Sequence, residues 1–420
     1  MTDTVFALAT PPGRSGVAVM RLSGPGAFAA AARLCPRGLP APREAALRWL
    51  EWDGARIDEA LVLVFPGPRS FTGEDVVELQ THGSPAVIRE LSAILGGPLA
   101  LVPAGPGEFT RRALLNGRLS VAQVEGLGDL LAAETMRQQR QSIALFAGEA
   151  GRRAERWRGM LRRAMAIYET MIDFVDDDVP PDLAATADAI VADLVADLTR
   201  ALGQARSGAA IREGFEVAVV GLPNSGKSSL INYLSGRKAA IVSPVPGTTR
   251  DVIEVRYELG GLPVTFLDTA GLRQAADEIE AEGIALAAER AEAASLRLFL
   301  SPPDTVPQVA RRDGDLIRRN FADLDPSADI STLSGYGIDR LLQSIRTELE
   351  GRLTEAGPFT RQRHARCLEM ALDALQMETS EPELRSDACR AATLAMEELV
   401  GRIGTEAVLS EIFSSFCIGK

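Results

Sequence analysis

The sequence predicts a multidomain α/β protein in which one domain is inserted into another. Three observations predict it. Short β-like runs broken by Pro–Gly turns fill residues 1–117, whereas apolar positions at helical spacing dominate 118–212 and return over 354–420. Between those two helical zones, residues 213–353 alternate β runs with helical patterns, as a doubly wound α/β domain does. Helical zones that flank an α/β zone can pack as one bundle, with the α/β domain grafted into it.

In chain order, the N-terminal zone carries β runs at 17–22 and 60–65, turns such as PPGRSG, FPGPRS and PAGPGEF, and one amphipathic helix near 85–95. This is a compact α+β domain. From about residue 120 to 206 turn residues thin out and Val121, Val124, Leu127 and Leu131 recur at helical spacing. The segment DDDVPP at 176–181 interrupts this zone: its prolines end one helix and its carboxylates cap the next. Beyond Arg361 the chain reads helical again. No internal repeat or low-complexity tract occurs.

A length of 420 residues allows two to four domains. With 46% apolar and 24% charged residues, the balance is that of a soluble globular chain. No apolar run reaches the roughly 18 residues of a membrane span. The first residues, MTDTVFALATPPGR, lack the layout of a secretory signal, so the expected location is cytoplasmic and no membrane is expected as a partner. Cys35, Cys367, Cys389 and Cys417 are far apart and form no CxxC pair, which argues against zinc and a disulfide framework. Two histidines, His82 and His364, leave little room for His-based chemistry. A net charge of -12 argues against wholesale coating of nucleic acid but leaves room for a local basic surface.

The β run Phe215–Val220 leads directly into GLPNSGKSSLINYL. Strand, G-x-x-x-x-G-K-S and helix is the context a P-loop requires. Gly221 and Gly226 let the backbone wrap closely enough for its N–H groups to meet phosphate oxygens. Residues Asn224, Ser225, Gly226, Lys227, Ser228 and Ser229 make up this cradle. Lys227 reaches the β/γ-phosphates and the Ser228 hydroxyl ligates Mg²⁺. A second β run, 262–267, ends in Asp268-Thr269-Ala270-Gly271. Asp268 stands where a carboxylate holds Mg²⁺, and Gly271 can donate its N–H to the γ-phosphate. Between the two motifs lies PGTTRD, in which Thr249 completes the Mg²⁺ shell when the loop closes over GTP. The order P-loop, GTTRD, DTAG resembles translation-factor-related GTPases.

Guanine selectivity in such proteins rests on N-K-x-D, and here the chain offers Asn320-Phe321-Ala322-Asp323. The carboxylate that reads guanine is kept, whereas the Lys that braces the base is replaced by Phe. Weaker nucleotide binding with an unchanged base is the expectation, although these four residues also read as a plain loop. Ser331-Thr332-Leu333 stands where S-A-x usually is, and the strand in LRLFLSPPD is short and broken by proline. No catalytic Gln follows DTAG. Asp277, Glu278 and Glu280 are carboxylates within reach, and helix-start charge is the plainer reading of them.

Several segments together resemble the tRNA-modification GTPase family MnmE, also called TrmE. They are ATPPGRSGVAVMRLSG, FTGEDVVELQTHG, PGEFTRRALLNGRLSVAQVEGL, the P-loop with GTTRD and DTAGLR, and IFSSFCIGK at the end of the sequence. The resemblance covers nearly the whole chain. It implies a folate-binding-like N-terminal domain over 1–117 that also makes a homodimer, a helical domain in two parts (118–212 and 354–420), and a P-loop G domain over 213–353. It also implies GTP hydrolysis and installation of a 5-carboxymethylaminomethyl or 5-aminomethyl group on the wobble uridine of tRNA. The implied partner is the FAD-dependent MnmG (GidA), in a heterotetramer. A tetrahydrofolate derivative, in its 5-formyl or 5,10-methylene form, would supply the one-carbon unit.

The matching folate residues are Arg21, Glu78, Arg118 and Lys420, with Arg118 in place of an expected Lys. A Glu carboxylate suits the pterin's adjacent N–H donors, and cationic side chains suit the glutamyl tail. The family's G domains dimerise when K⁺ fills a site beside the phosphates, doing the work of an arginine finger. The matching K⁺ ligands are Asn224, Ser243, Val245 and Thr248, in a loop that Pro244 and Pro246 stiffen. The catalytic carboxylate falls on Glu280. Cys417 reads equally as a nucleophile for uridine and as a packed structural thiol. The arginine-rich stretch 152–163 reads as a solvated helix face or as a contact for tRNA or the partner. The rival readings are an Era-type ribosome-assembly GTPase, an RNA-binding switch with no modification chemistry, and a degenerate chain kept as a scaffold for MnmG.

Overall fold

The computed structural model describes residues 3–173, 182–222, 224–237, 239–240, 254–268, 292–301, 312–355, 357–377, 379–401, 413, 416 and 419. Backbone contacts divide the chain into two units, Met1–Gly128 with Val400–Lys420, and Asp129–Leu399.

The first unit holds a sheet of β1 (Val5–Leu8), β2 (Ser15–Ser23), β3 (Ala46–Trp52), β4 (Ala55–Phe65), β5 (Val76–Gly83) and β6 (Val102–Pro103). Its order is β3-β4-β5-β2-β1-β6. Neighbours are antiparallel except for the β1–β6 pair. Helices α1 (Ala27–Leu34) and α2 (Pro85–Gly96) cover one face, where Ala31, Leu34, Leu91 and Leu95 meet Met20, Leu22, Val77 and Leu79. Where one helix is expected from the sequence, the structure has three, the third being α3 (Glu108–Leu115). Helices α1 and α3 have 8 residues each, too few for a periodic pattern to stand out, and α1 (AFAAAARL) forms through alanine propensity. Side chains alternate along a strand, so Arg21 and Glu78 point to the face opposite Met20, Leu22, Val77 and Leu79. On that face lies Phe109 of α3.

The second unit contains a helical bundle and a second sheet. Helices α6 (Glu149–Asp173) and α7 (Asp182–Glu213) pack on each other and on two helices from the far end of the chain, α10 (Gln362–Leu375) and α11 (Pro382–Leu399). The flanking helical zones thus form one bundle with the α/β zone between them in sequence. Trp157 is the anchor: fully buried, it stacks on Phe359 with ring centroids 5.8 Å apart. Its indole donates to Asp197 at 2.9 Å. The sequence reads the arginine-rich stretch as a solvated helix face or as a contact for tRNA or the partner. In the structure Arg152, Arg156, Arg162 and Arg163 are exposed, while Arg153 and Arg158 are half-buried in ion pairs. Arg153 and Arg156 pair with Asp197, and Arg158 pairs with Glu397 of α11 at 2.9 Å.

One carboxylate holds both crossings between bundle and α/β zone. Asp129, in α4 (Val121–Ala132) and 8% exposed, accepts from Arg212 at 2.9 Å, from Arg361 at 2.7 Å and from the Thr360 hydroxyl at 3.1 Å. Arg212 stands at the end of α7, where the chain leaves the bundle; Thr360 and Arg361 stand where it returns.

Burial pushes the Asp197 carboxyl up, but hydrogen bonds from Trp157 and Arg156 and the charge of Arg153 outweigh that and hold it below the usual carboxylate range. A depressed folded pKa gives stability that is present above the unfolded value near ~4 and lost as pH falls through the folded one. Asp197→Asn is therefore expected to lower unfolding free energy by about 1–3 kcal/mol at neutral pH, with the gap closing toward acid. Chemical denaturation of both proteins at neutral and acid pH measures this, and a gap independent of pH contradicts it.

Candidate functional site

The second sheet is built of β7 (Phe215–Val220), β8 (Glu254–Leu259), β9 (Leu262–Asp268), β10 (Leu296–Ser301) and β11 (Leu316–Arg319), in the order β11-β10-β7-β9-β8. β11, β10, β7 and β9 run parallel, with β8 antiparallel at the edge. β7 is central because its FEVAVV run is buried on both faces, as parallel strands require. β10 is short but wholly buried, and pairs with both β7 and β11. The chain leaves β7 toward α8 (Lys227–Ser235), takes up β9 on one side of it and β10 on the other. Ligand crevices form at such a switch point, outside the carboxyl ends of the strands.

There the loop 221–226 folds tightly. Gly226 caps α8 with φ +93°, and a β-carbon on it would overlap the Asn320 amide. A β-carbon on Gly221 would overlap the Leu300 carbonyl. Asn224 also adopts the left-handed region, φ +62°, which Asn tolerates better than most residues. Asn320 is fully buried: its Nδ2 donates to the Ser225 carbonyl at 3.0 Å and its backbone N–H donates to Ser301 at 2.9 Å. Asn320 thereby ties the end of β10 to the loop. Lys227 is 6% exposed, and its Nζ donates to the Gly221 and Leu222 carbonyls at 2.8 and 2.9 Å. Ser228 is half-buried in the first turn of α8 and Ser229 is exposed beside it. The result is a loop whose amide groups border a helix N-terminus, a ready place for an anion. Ser225 Oγ and Asn320 Oδ1 are buried, with no hydrogen-bond partner among the described residues.

Asp268 ends β9, is 6% exposed, and lies opposite Val219 of β7. Asp323 is exposed and accepts the Ser331 hydroxyl. Phe321 between Asn320 and Asp323 has φ +74°, a conformation that costs a residue with a β-carbon roughly 1–2 kcal/mol. The strain is held by Leu324 and Asp325, whose N–H groups both donate to the Phe321 carbonyl at 2.9 Å. Such outliers cluster at ligand sites. Ser243, Val245, Thr248, Thr249, Thr269, Ala270, Gly271 and Glu280 lie outside the described residues.

In the first unit, Arg21 on β2 and Glu78 on β5 face each other across the strands. Arg21 Nε donates to Glu78 Oε1 at 3.0 Å, and a second guanidinium nitrogen lies 2.9 Å from the same oxygen. Arg21 also donates to the Gly419 carbonyl at 3.2 Å and lies over the Phe109 ring at 5.5 Å. The end of the chain is seated by Phe413 and Phe416, which pack against Gly107 at the start of α3. Arg118 is exposed, in a turn that packs on Gly73. Cys417 and Lys420 lie outside the described residues. Sequence reading missed a buried cluster beneath this face. Glu74 accepts from Ser23 at 2.8 Å and from Arg112, itself 3% exposed, at 2.9 Å. Arg112 donates as well to Glu108 at 3.0 Å. The available signal was charge in the otherwise apolar stretches FTGEDVVEL and EFTRRALL.

Residues 121–417 match the family model described as the MnmE helical domain, and residues 4–118 match that of the GTP-binding protein TrmE N-terminus. The chain belongs to the MnmE family. MnmE relatives align along their whole length. The tRNA modification GTPases MnmE of Cereibacter sphaeroides and of Roseobacter denitrificans are each 48% identical over 428 residues, covering 100% of both chains. Among solved structures, the G domain of the T. maritima FeoB iron transporter is 21% identical, covers 32% of this chain and 98% of that one, and has a TM-score of 0.25. Likeness this remote leaves the assignment with the MnmE match. A TrmE N-terminus over residues 4–118 also speaks against the Era-type reading.

Removing the Asn320 amide would leave the buried Ser225 carbonyl without its donor. Asn320→Ala is expected to cost about 1–3 kcal/mol in unfolding free energy, read from denaturant midpoints at constant slope. A variant as stable as the parent would show that this tie does not hold the loop.

Proposed function

We propose that this MnmE-family chain is a potassium-activated GTPase that, with the FAD-dependent MnmG partner, installs the 5-carboxymethylaminomethyl or 5-aminomethyl group on the wobble uridine of tRNA. The observation that supports the nucleotide half is the glycine loop 221–226, pinned by Asn320 and leading into the N-terminus of α8. The tRNA half is supported by full-length relatives named tRNA modification GTPase MnmE.

In this reading the backbone N–H groups of residues 224–229 and the Lys227 ammonium hold the GTP phosphates. Lys227 exchanges its two carbonyl partners for phosphate oxygens, an exchange its flexible stem and rotatable donors permit. The Ser228 hydroxyl suits Mg²⁺, with Asp268 beside it at the end of β9 and Thr249 completing the set. Asn224, Ser243, Val245 and Thr248 would hold K⁺. These cations supply charge neutralisation at the phosphates, and Glu280 orients the attacking water. Thr269, Ala270 and Gly271 contact the γ-phosphate, and Asp323 reads the guanine edge with Asn320 bracing the loop. Oxygen donors of this kind suit hard cations.

The folate site is assigned to Arg21, Glu78, Arg118 and Lys420. Glu78 spends one carboxylate oxygen on Arg21, and the other is the acceptor for a pterin N–H. In this reading the folate domain spans 1–117 and makes the homodimer. The G domain spans 213–353, the helical domain 118–212 with 354–420, and the assembly with MnmG is a cytoplasmic heterotetramer.

Hydrolysis in potassium and sodium salts of equal ionic strength tests the proposal. GTP turnover is expected to be fast in potassium and weak in sodium. Asn224→Ala should remove that difference while nucleotide affinity changes little. Equal rates in the two salts would overturn potassium activation, and no turnover in either would overturn the GTPase reading.

A further inference from the structure

A cavity of about 640 Å³ opens inside the second unit, within the ~300–1,000 Å³ typical of small-molecule sites. It is bounded by α5 (Met136–Phe146), α6, α7, the end of α9 (Ile338–Gly351) and the segment returning to the bundle. None of its lining residues belongs to the loop 221–226 or to the folate residues, so neither proposed ligand accounts for it.

The lining joins an apolar body to a surplus of donors. Ala144, Ile211, Leu353 and Pro358 supply the apolar wall. Gln141 of α5 is 8% exposed, and among the described residues its Nε2 has no hydrogen-bond partner. Arg153 reaches in from α6. It lies over the Trp157 and Phe359 rings at 5.1 and 5.7 Å. It donates to Gln204 at 2.7 Å and, longer, to Asp197 at 3.4 Å, so among the described residues its hydrogen bonds take only part of the five N–H donors a guanidinium carries. Burial strips water from this cation and pulls its pKa below the usual arginine range. A buried amide donor and an under-bonded cation beside an apolar wall call for an acceptor on an apolar ligand.

The charge of that ligand is also bounded. Arg137 is neutralised by Glu350 at 2.6 Å, and Asp197 already offsets part of Arg153. At the mouth the exposed Arg140 is outnumbered by exposed Glu149 and Glu355. One negative charge is accommodated, and a second would meet those carboxylates. We propose that this cavity binds a small monoanion with an apolar body, an acyl or aromatic carboxylate, with its head on Arg153 and Gln141. Its walls come from the bundle and from the last helix of the α/β zone, so such a ligand bridges the two.

Isothermal titration of the full chain, with saturating GDP present to occupy the nucleotide site, tests this with octanoate, octan-1-ol and octyl phosphate. Octanoate is expected to bind saturably with one site per chain, more tightly than the alcohol or the phosphate. Arg153→Gln should weaken it about tenfold or more, the scale of one lost charge-assisted contact. Because Arg153 also supports Asp197, a second variant guards against misfolding. Ala144→Trp narrows the cavity without touching any charge, and should weaken octanoate binding while leaving circular dichroism and GTP turnover unchanged. The proposal is overturned by octanol binding as tightly as octanoate, by tighter binding of octyl phosphate, by octanoate affinity that Ala144→Trp leaves unchanged, or by no saturable binding at all.

Discussion

The proposed nucleotide site depends on how closely the backbone at Gly226 approaches the Asn320 amide. A β-carbon at that point has no room, and the positive φ there suits glycine alone. That approach lets one side chain reach the Ser225 carbonyl, while its own backbone is held by the last residue of β10. The loop, the start of α8 and the end of β10 are thus positioned by a single buried residue. The strained Phe321 follows from the same anchor, since the chain must turn sharply after Asn320 to bring Asp323 to Ser331.

A second constraint governs the architecture. An inserted α/β zone is joined to its bundle by two crossings, and here both are gathered on Asp129. A carboxylate so buried is stable only with charge-assisted partners, and it has Arg212 on the outgoing crossing and Arg361 on the returning one. A displacement of the nucleotide sheet against the bundle must therefore act on these bonds. Asp197 plays a comparable part within the bundle, gathering the arginines of α6 around Trp157.

What was legible in the sequence was local. Strand, glycine loop and helix from Phe215 to Ser235 announce themselves because the chemistry requires them to be contiguous. The bundle was legible because long helices repeat their apolar spacing many times. Helices α1 and α3 were not, being barely two turns long. Also hidden were interactions between residues remote in sequence: Glu74 with Arg112, Asp197 with Arg153, and Asp129 with Arg361. The arginines of α6 read as a solvated face, which most of them are, but the pairs made by Arg153 and Arg158 were hidden because their partners lie some forty residues or more away. Asn320 was visible as part of N-F-A-D, but its bracing of the loop at Ser225 was not, because the two residues lie 95 positions apart.

The central claim is that this glycine loop drives modification of tRNA. Mass spectrometry of wobble uridine tests it most directly, in cells lacking the gene and in the same cells supplied with the wild-type protein or with Gly226→Ala. The account predicts that 5-aminomethyl-type uridines vanish on deletion and return with the wild type, and that they stay absent with the variant, whose β-carbon displaces Asn320. Full restoration by Gly226→Ala, or unchanged uridines in the deletion strain, would contradict it.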